Sequence, residues 1–153
     1  MVEGRTHSVV HKDGDEGSIM PLIAIFAAIA LGMVLVAASA SSLYLERTRL
    51  YGLADAAALS AAESYDLAAV TVVDGQVRAT LDSAAVDAAV REHLAMSPSS
   101  ASFDALTVVR AETTDGRSAT VSLASVWHPP VLSPLMPDGV RVKVTSTARS
   151  VFQ

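Results

Sequence analysis

No cysteine occurs in the 153 residues, which excludes disulfides, thiolate metal sites and a cysteine nucleophile. Aromatic side chains make up only 5% of the chain, although 51% of it is hydrophobic. The apolar content is therefore mostly alanine, valine and leucine, enough for a small core that stabilises weakly per residue. Basic residues are outnumbered, 11 against 16 acidic ones, for a net charge of −5. With no basic stripe, that balance speaks against a nucleic-acid partner. A phosphate-binding glycine loop, a nucleophile elbow and a carboxylate pair in an apolar setting are all missing. The four histidines, His7, His11, His93 and His128, are scattered, and none has an acid or a second histidine at metal-ligand spacing. "DGDEG", Asp13 to Gly17, has the opening of a calcium loop without the rest of it. These absences lead us to expect no enzyme, metal, cofactor or small-molecule substrate.

What is present is a long stretch without charge. From Gly17 to Leu45 there are 29 residues with no Asp, Glu, Lys, Arg or His. Its densest part, "IMPLIAIFAAIALGMVLVAA" (Ile19 to Ala38), is 20 residues long, the length that about 30 Å of hydrocarbon requires. A chain this small has no core able to surround such a segment, so we expect a membrane span. The competing reading is a secretory signal. Ala38-Ser39-Ala40 fits the A-x-A cleavage pattern, and cutting after Ala40 would release a secreted soluble binding domain. The run is longer than the usual signal core of about 7–15 residues, and the flank before it is acidic. Arg5 and Lys12 precede the span and Arg47 and Arg49 follow it, so charge barely orients it. The larger polar part is C-terminal, which favours a single pass through the cytoplasmic membrane, N-terminus inside and C-terminal domain extracytoplasmic. Ala24, Ala28 and Gly32 lie four apart, a small-residue row that lets two helices pack closely; an abundance of alanine produces the same row.

The helical pattern does not stop with the span. Between Ser39 and Asp66 there is no proline, and the only glycine is Gly52. Leu43, Leu50, Ala54, Ala57, Ala61 and Ser64 recur at three- and four-residue steps, so one helix is expected from about Ile19 to Asp66. Asp55 is the one acid within its alanine-rich part, facing either solvent or a polar group of the sheet or a neighbouring chain. "AVTVVDGQVRA" reads as a hairpin about Asp74-Gly75, and "DALTVVRAETTDGRSATVSLASVW" as another about Asp115-Gly116. Between them, "TLDSAAVDAAVREHLAMSP" reads as a second, shorter helix capped by Thr80 or Asp82 and stopped before Pro98. "VRVKVTSTARS" alternates as a strand with Val140, Val142, Val144, Ser146 and Ala148 on one face. The loop "HPPVLSPLMPDG" holds four prolines and cannot continue a ladder. Its Val131, Leu132, Leu135 and Met136 either tuck under the sheet or meet another protein.

The expected fold class is α+β. A long N-terminal transmembrane helix continues into a small domain with an antiparallel sheet and a second short helix, in the manner of a pilin. The expected organisation is a cytoplasmic tail at 1–17, a transmembrane segment at 18–42, the exposed half of the long helix at 43–67 and an extracytoplasmic α+β domain at 68–153.

Glu16 to Ser64 resembles the N-terminal region of the TadE/TadG-like proteins of Tad (Flp) pilus assembly. The residues that carry the likeness are Gly17-Ser18 opening the apolar run, Glu46-Arg47-Thr48-Arg49 after it, and the block Asp55-Ala56-Ala57-Ala58-Leu59. More loosely, the C-terminal part is similar to the short extracytoplasmic domains of actinobacterial members. The resemblance implies a single-pass, minor-pilin-like component of a type IV-related pilus or secretion apparatus, with the membrane and other subunits as partners. It also implies prepilin-type processing at Gly17-Ser18. One departure bears on this: where such pilins carry a glutamate five residues past the processed glycine, this chain has Leu22. An accessory assembly protein is therefore expected over a main filament subunit. A secreted binding domain, or a membrane-anchored enzyme or sensor built around His93 or His128 with a carboxylate partner, stands as the alternative.

Overall fold

The structure is a computed structural model that describes residues 19–64, 70–73, 76–130, 133 and 136–149. The chain divides into two compact units, Met1–Ala37 and Ala38–Gln153.

The first helix, α1, runs from Ile19 to Ala62. Pro21 falls in its opening turn, where the N–H it lacks has no helical acceptor in any case. Within Met1–Ala37 the described residues all belong to this helix, and none of them is buried. Its apolar stretch is long enough to cross a membrane. The C-terminal end comes at Ala62, a few residues earlier than the periodicity suggests. There the N–H of Ser64 bonds the carbonyl of Ala61, and the Ser64 hydroxyl takes the same carbonyl at 2.8 Å. A serine that captures nearby backbone in this way competes with the helical ladder.

The second unit is α+β. After a two-stranded antiparallel hairpin, β1 (Val70–Val73) and β2 (Gln76–Ala79), come a second helix, α2 (Ser83–Met96), and a short 3-10 turn at Pro98–Ser102. The expected turn at Asp74-Gly75 lies outside the described residues. Three strands follow, β3 (Thr107–Glu112), β4 (Ser118–Trp127) and β5 (Val140–Arg149), antiparallel in the order β3-β4-β5. Asp82 caps α2, its carboxylate accepting the N–H groups of Ala84 and Ala85, which satisfies two otherwise unpaired donors. At the other end, the Ser100 hydroxyl donates to the carbonyls of Leu94 and Ser97.

The core explains the alanine content. Leu50, Leu53, Ala54, Ala57, Ala58, Ala61 and Ala62 of α1 join Val86 and Val90 of α2 and Ala119, Val121, Leu123, Val142 and Val144 of the sheet in one buried cluster. After Leu50 the α1 members come in pairs every four residues, the wide stripe of a helix laid on a sheet. Four of the five alanines are followed or preceded by another, so small side chains bring the helix close. On its other face the sheet is polar: Thr120 and Thr147 approach to 3.1 Å, and Ser122 and Thr145 to 2.8 Å, as cross-strand pairs.

Gly139 enters β5 with a φ of +64°, a conformation that costs an L-residue roughly 1–2 kcal/mol. A Cβ there would also stand 2.6 Å from Val126 Cγ1 and 2.9 Å from the carbonyl oxygen of Trp127. Gly139→Ala is expected to destabilise the unit by about 2 kcal/mol or more, read as a lower denaturation midpoint.

Candidate functional site: the helix face, the acidic anchor and the exposed surfaces

Ala24, Ala28 and Gly32 are all exposed on α1, and a Cβ added at Gly32 would meet nothing within 4 Å. Nothing described in this chain covers that row. Gly17 and Ser18 lie outside the described residues, as do His7, His11 and the "DGDEG" stretch. So do Val131, Leu132 and Leu135 of the proline loop, whereas Pro129 is buried and Met136 exposed.

The block at Asp55–Leu59 is divided between the two sides of α1. Ala57 and Ala58 are fully buried in the core, Ala56 is exposed, and Leu59 is 53% exposed. Asp55 makes the polar contact with the sheet: Oδ1 accepts the hydroxyl of Ser146, on β5, at 2.8 Å. Ser146 is itself buried, so the carboxylate supplies an acceptor that the hydroxyl cannot obtain from water. A residue that sequence alone leaves between solvent and sheet thus ties α1 to the last strand.

A second tie joins α1 to β4. The indole N–H of Trp127 donates to the Ser42 hydroxyl at 3.3 Å. No sequence signal marks this pair, which is 85 residues apart.

Two surface features bear on chemistry. An open hollow of about 450 Å³ is lined by Arg49, Gly52, Leu53, Ala56, His93, Ser97, Ser99, Ser102 and Phe103. It brings a histidine together with serines but offers no carboxylate. His128 does have a carboxylate partner, Asp104 Oδ2 at 3.2 Å from Nδ1, on the open surface and away from that hollow. The fold creates this pairing between residues 24 apart, which ligand-spacing arguments miss. Among the described residues no three His, Asp or Glu side chains stand together as a metal site.

The Asp115 turn is the clearest electrostatic feature. Its carboxylate accepts the N–H of Arg117 at 2.9 Å, the N–H of Ser118 at 2.7 Å and the Ser118 hydroxyl at 2.9 Å. These bonds favour the charged form and lower the Asp115 pKa from 3.8 to about 2. A folded-state pKa below the unfolded one gives stability that is present above about pH 4 and lost as the pH falls towards 2. The denaturation midpoints of the wild type and Asp115→Ala should therefore differ most near neutral pH and draw together only as the pH falls to about 2. A gap that stays constant with pH would contradict this reading of the turn.

These elements define a class: a small α+β unit packed on a helix whose other end is apolar, exposed and long enough to cross a membrane. Residues 17–64 match the Tad family model, described as putative Flp pilus-assembly TadE/G-like. The match takes in about a third of the chain and the whole of α1. No curated protein and no solved structure matches the chain. Residues 17–64 are thus similar to the TadE/G-like family, and that match together with the apolar helix fits a component of a Tad pilus.

Proposed function

We propose that this chain is a membrane-anchored, minor-pilin-like accessory component of a Tad pilus or its secretion apparatus, structural rather than catalytic. In this reading α1 crosses the cytoplasmic membrane once with its N-terminus inside. The α+β unit stands outside, where it contacts other subunits. The observation that carries the reading is the coincidence of the TadE/G-like match with α1. The matched segment joins an apolar, uncovered stretch to the buried stripe that organises the second unit. The mechanism is mechanical. A helix anchored in lipid holds a small folded surface at a set place, and Ala24, Ala28 and Gly32 give neighbouring spans room to approach. Exposed Leu59 and Tyr51 on α1 offer contact surface to partner subunits. The His128–Asp104 pair is read as a surface contact, since neither residue lines the hollow.

Membrane fractionation combined with intact-mass measurement tests this. The expected result is a chain retained in the membrane fraction, with a mass that is either full-length or short by the residues up to Gly17. A soluble species beginning at Ser41 would instead make it a released binding domain.

A further inference from the structure

We propose that the end of the α+β unit where β4 finishes rests in the lipid headgroup layer, with Trp127 as its lipid contact. The inference builds on the reading of α1 as a membrane anchor and adds a second, peripheral attachment to it.

The depth follows from one hydrogen bond. Trp127 donates to Ser42, and Ser42 lies four residues beyond Ala38, where the 20-residue apolar stretch ends. At 1.5 Å of rise per residue that is about 6 Å along the helix axis. The polar layer on each side of the hydrocarbon is roughly 5–8 Å deep. With Ala38 at the edge of the hydrocarbon, the indole bonded to Ser42 lies at headgroup depth. The first charged residues of α1, Glu46 and Arg47, come a full turn later.

The chemistry agrees with the depth. An indole is apolar over its ring and needs an acceptor for its N–H, which is why tryptophan collects at membrane interfaces. Here the N–H is satisfied within the protein and the ring is only half-buried, so the rest of it has an environment to find. Tyr44 and Leu45, on the adjoining turn of α1, are 71% and 54% exposed, and Met136, after β4, is 42% exposed. The charges beside Trp127 are of both signs. His128 is paired with Asp104, and Arg141 stands opposite Val126 in the ladder. Among the described residues nothing there makes a basic patch, so the contact is the ring with the interface and does not depend on anionic lipid.

Trp127 is the only tryptophan in the chain, so its emission reports this position alone. The full chain would be reconstituted into vesicles of phosphatidylcholine and phosphatidylglycerol. Quenching would be read with a nitroxide at the headgroup, with a nitroxide deep in the acyl chain, and with aqueous iodide. The headgroup nitroxide is expected to remove most of the emission, with the deep one weaker, iodide nearly without effect and added salt changing nothing. Emission untouched by either nitroxide overturns the proposal, whether iodide quenches (ring in water) or does not (ring covered by protein). Stronger quenching by the deep nitroxide overturns the headgroup placement. Alkaline carbonate treatment of the same vesicles separates the two levels. A stripped chain defeats the anchor and this inference together, while a retained chain with unquenched emission defeats the inference alone.

Discussion

Leu50→Ala is expected to cost the α+β unit about 2–5 kcal/mol, while Leu59→Ala, two and a half turns along the same helix, changes stability by less than about 0.5 kcal/mol. The two leucines have the same chemistry and helix propensity. They differ in that Leu50 is fully buried among Leu53, Ala54 and the sheet residues, whereas Leu59 is 53% exposed. Removing Leu50 leaves a cavity in a core composed largely of alanine and valine, which has little spare volume to collapse into it. Denaturation of the detergent-solubilised chain, followed by Trp127 emission, measures both variants, because Trp127 touches α1 through Ser42. Equal effects at the two positions would mean that the buried stripe of α1 is misassigned.

The second large effect is asymmetric. Asp55→Ala leaves the buried Ser146 hydroxyl without its acceptor, an expected cost of about 1–3 kcal/mol. Ser146→Ala removes the donor and leaves a carboxylate on an exposed residue that water can solvate, so its cost should be about 1 kcal/mol or less. The double variant should then be more stable than Asp55→Ala alone, because no buried polar group remains unpaired. A Ser146→Ala cost equal to that of Asp55→Ala, with the double variant at their sum, would show that the contact does not couple α1 to β5.

Local chemistry was the readable part of this chain. The Asp82 cap and the Asp115 turn rest on side chains that bond backbone two or three residues away, so a short window of sequence contains the whole device. Strict alternation likewise placed Val142, Val144 and Ser146 on the covered face of β5, and the structure buries all three. The row of three- and four-residue steps leaves out Leu53, Ala58 and Ala62, which the structure buries. A single row of three- and four-residue steps picks out the centre of a stripe, whereas packing against a sheet buries its flanking row as well. The early end of α1 at Ala62 depends on which carbonyl the Ser64 hydroxyl takes, a local competition that periodicity does not resolve. Asp55 with Ser146, Trp127 with Ser42 and His128 with Asp104 are all products of tertiary folding. Each residue's own neighbourhood in sequence is silent about its partner. The family likeness, by contrast, lay entirely in the contiguous segment that becomes α1, and the match over residues 17–64 falls on that segment.

The absence of cysteine makes the most direct test simple. Single cysteines introduced as Ser8→Cys, in the N-terminal tail, and Thr114→Cys, exposed in the β3–β4 turn, can be challenged in intact spheroplasts with a membrane-impermeant maleimide. A helix that crosses the bilayer once and carries its folded unit outward predicts immediate labelling at position 114 and, in the chain that keeps its full length, labelling at position 8 only after permeabilisation. The opposite pattern, or labelling of both positions without permeabilisation, would contradict it.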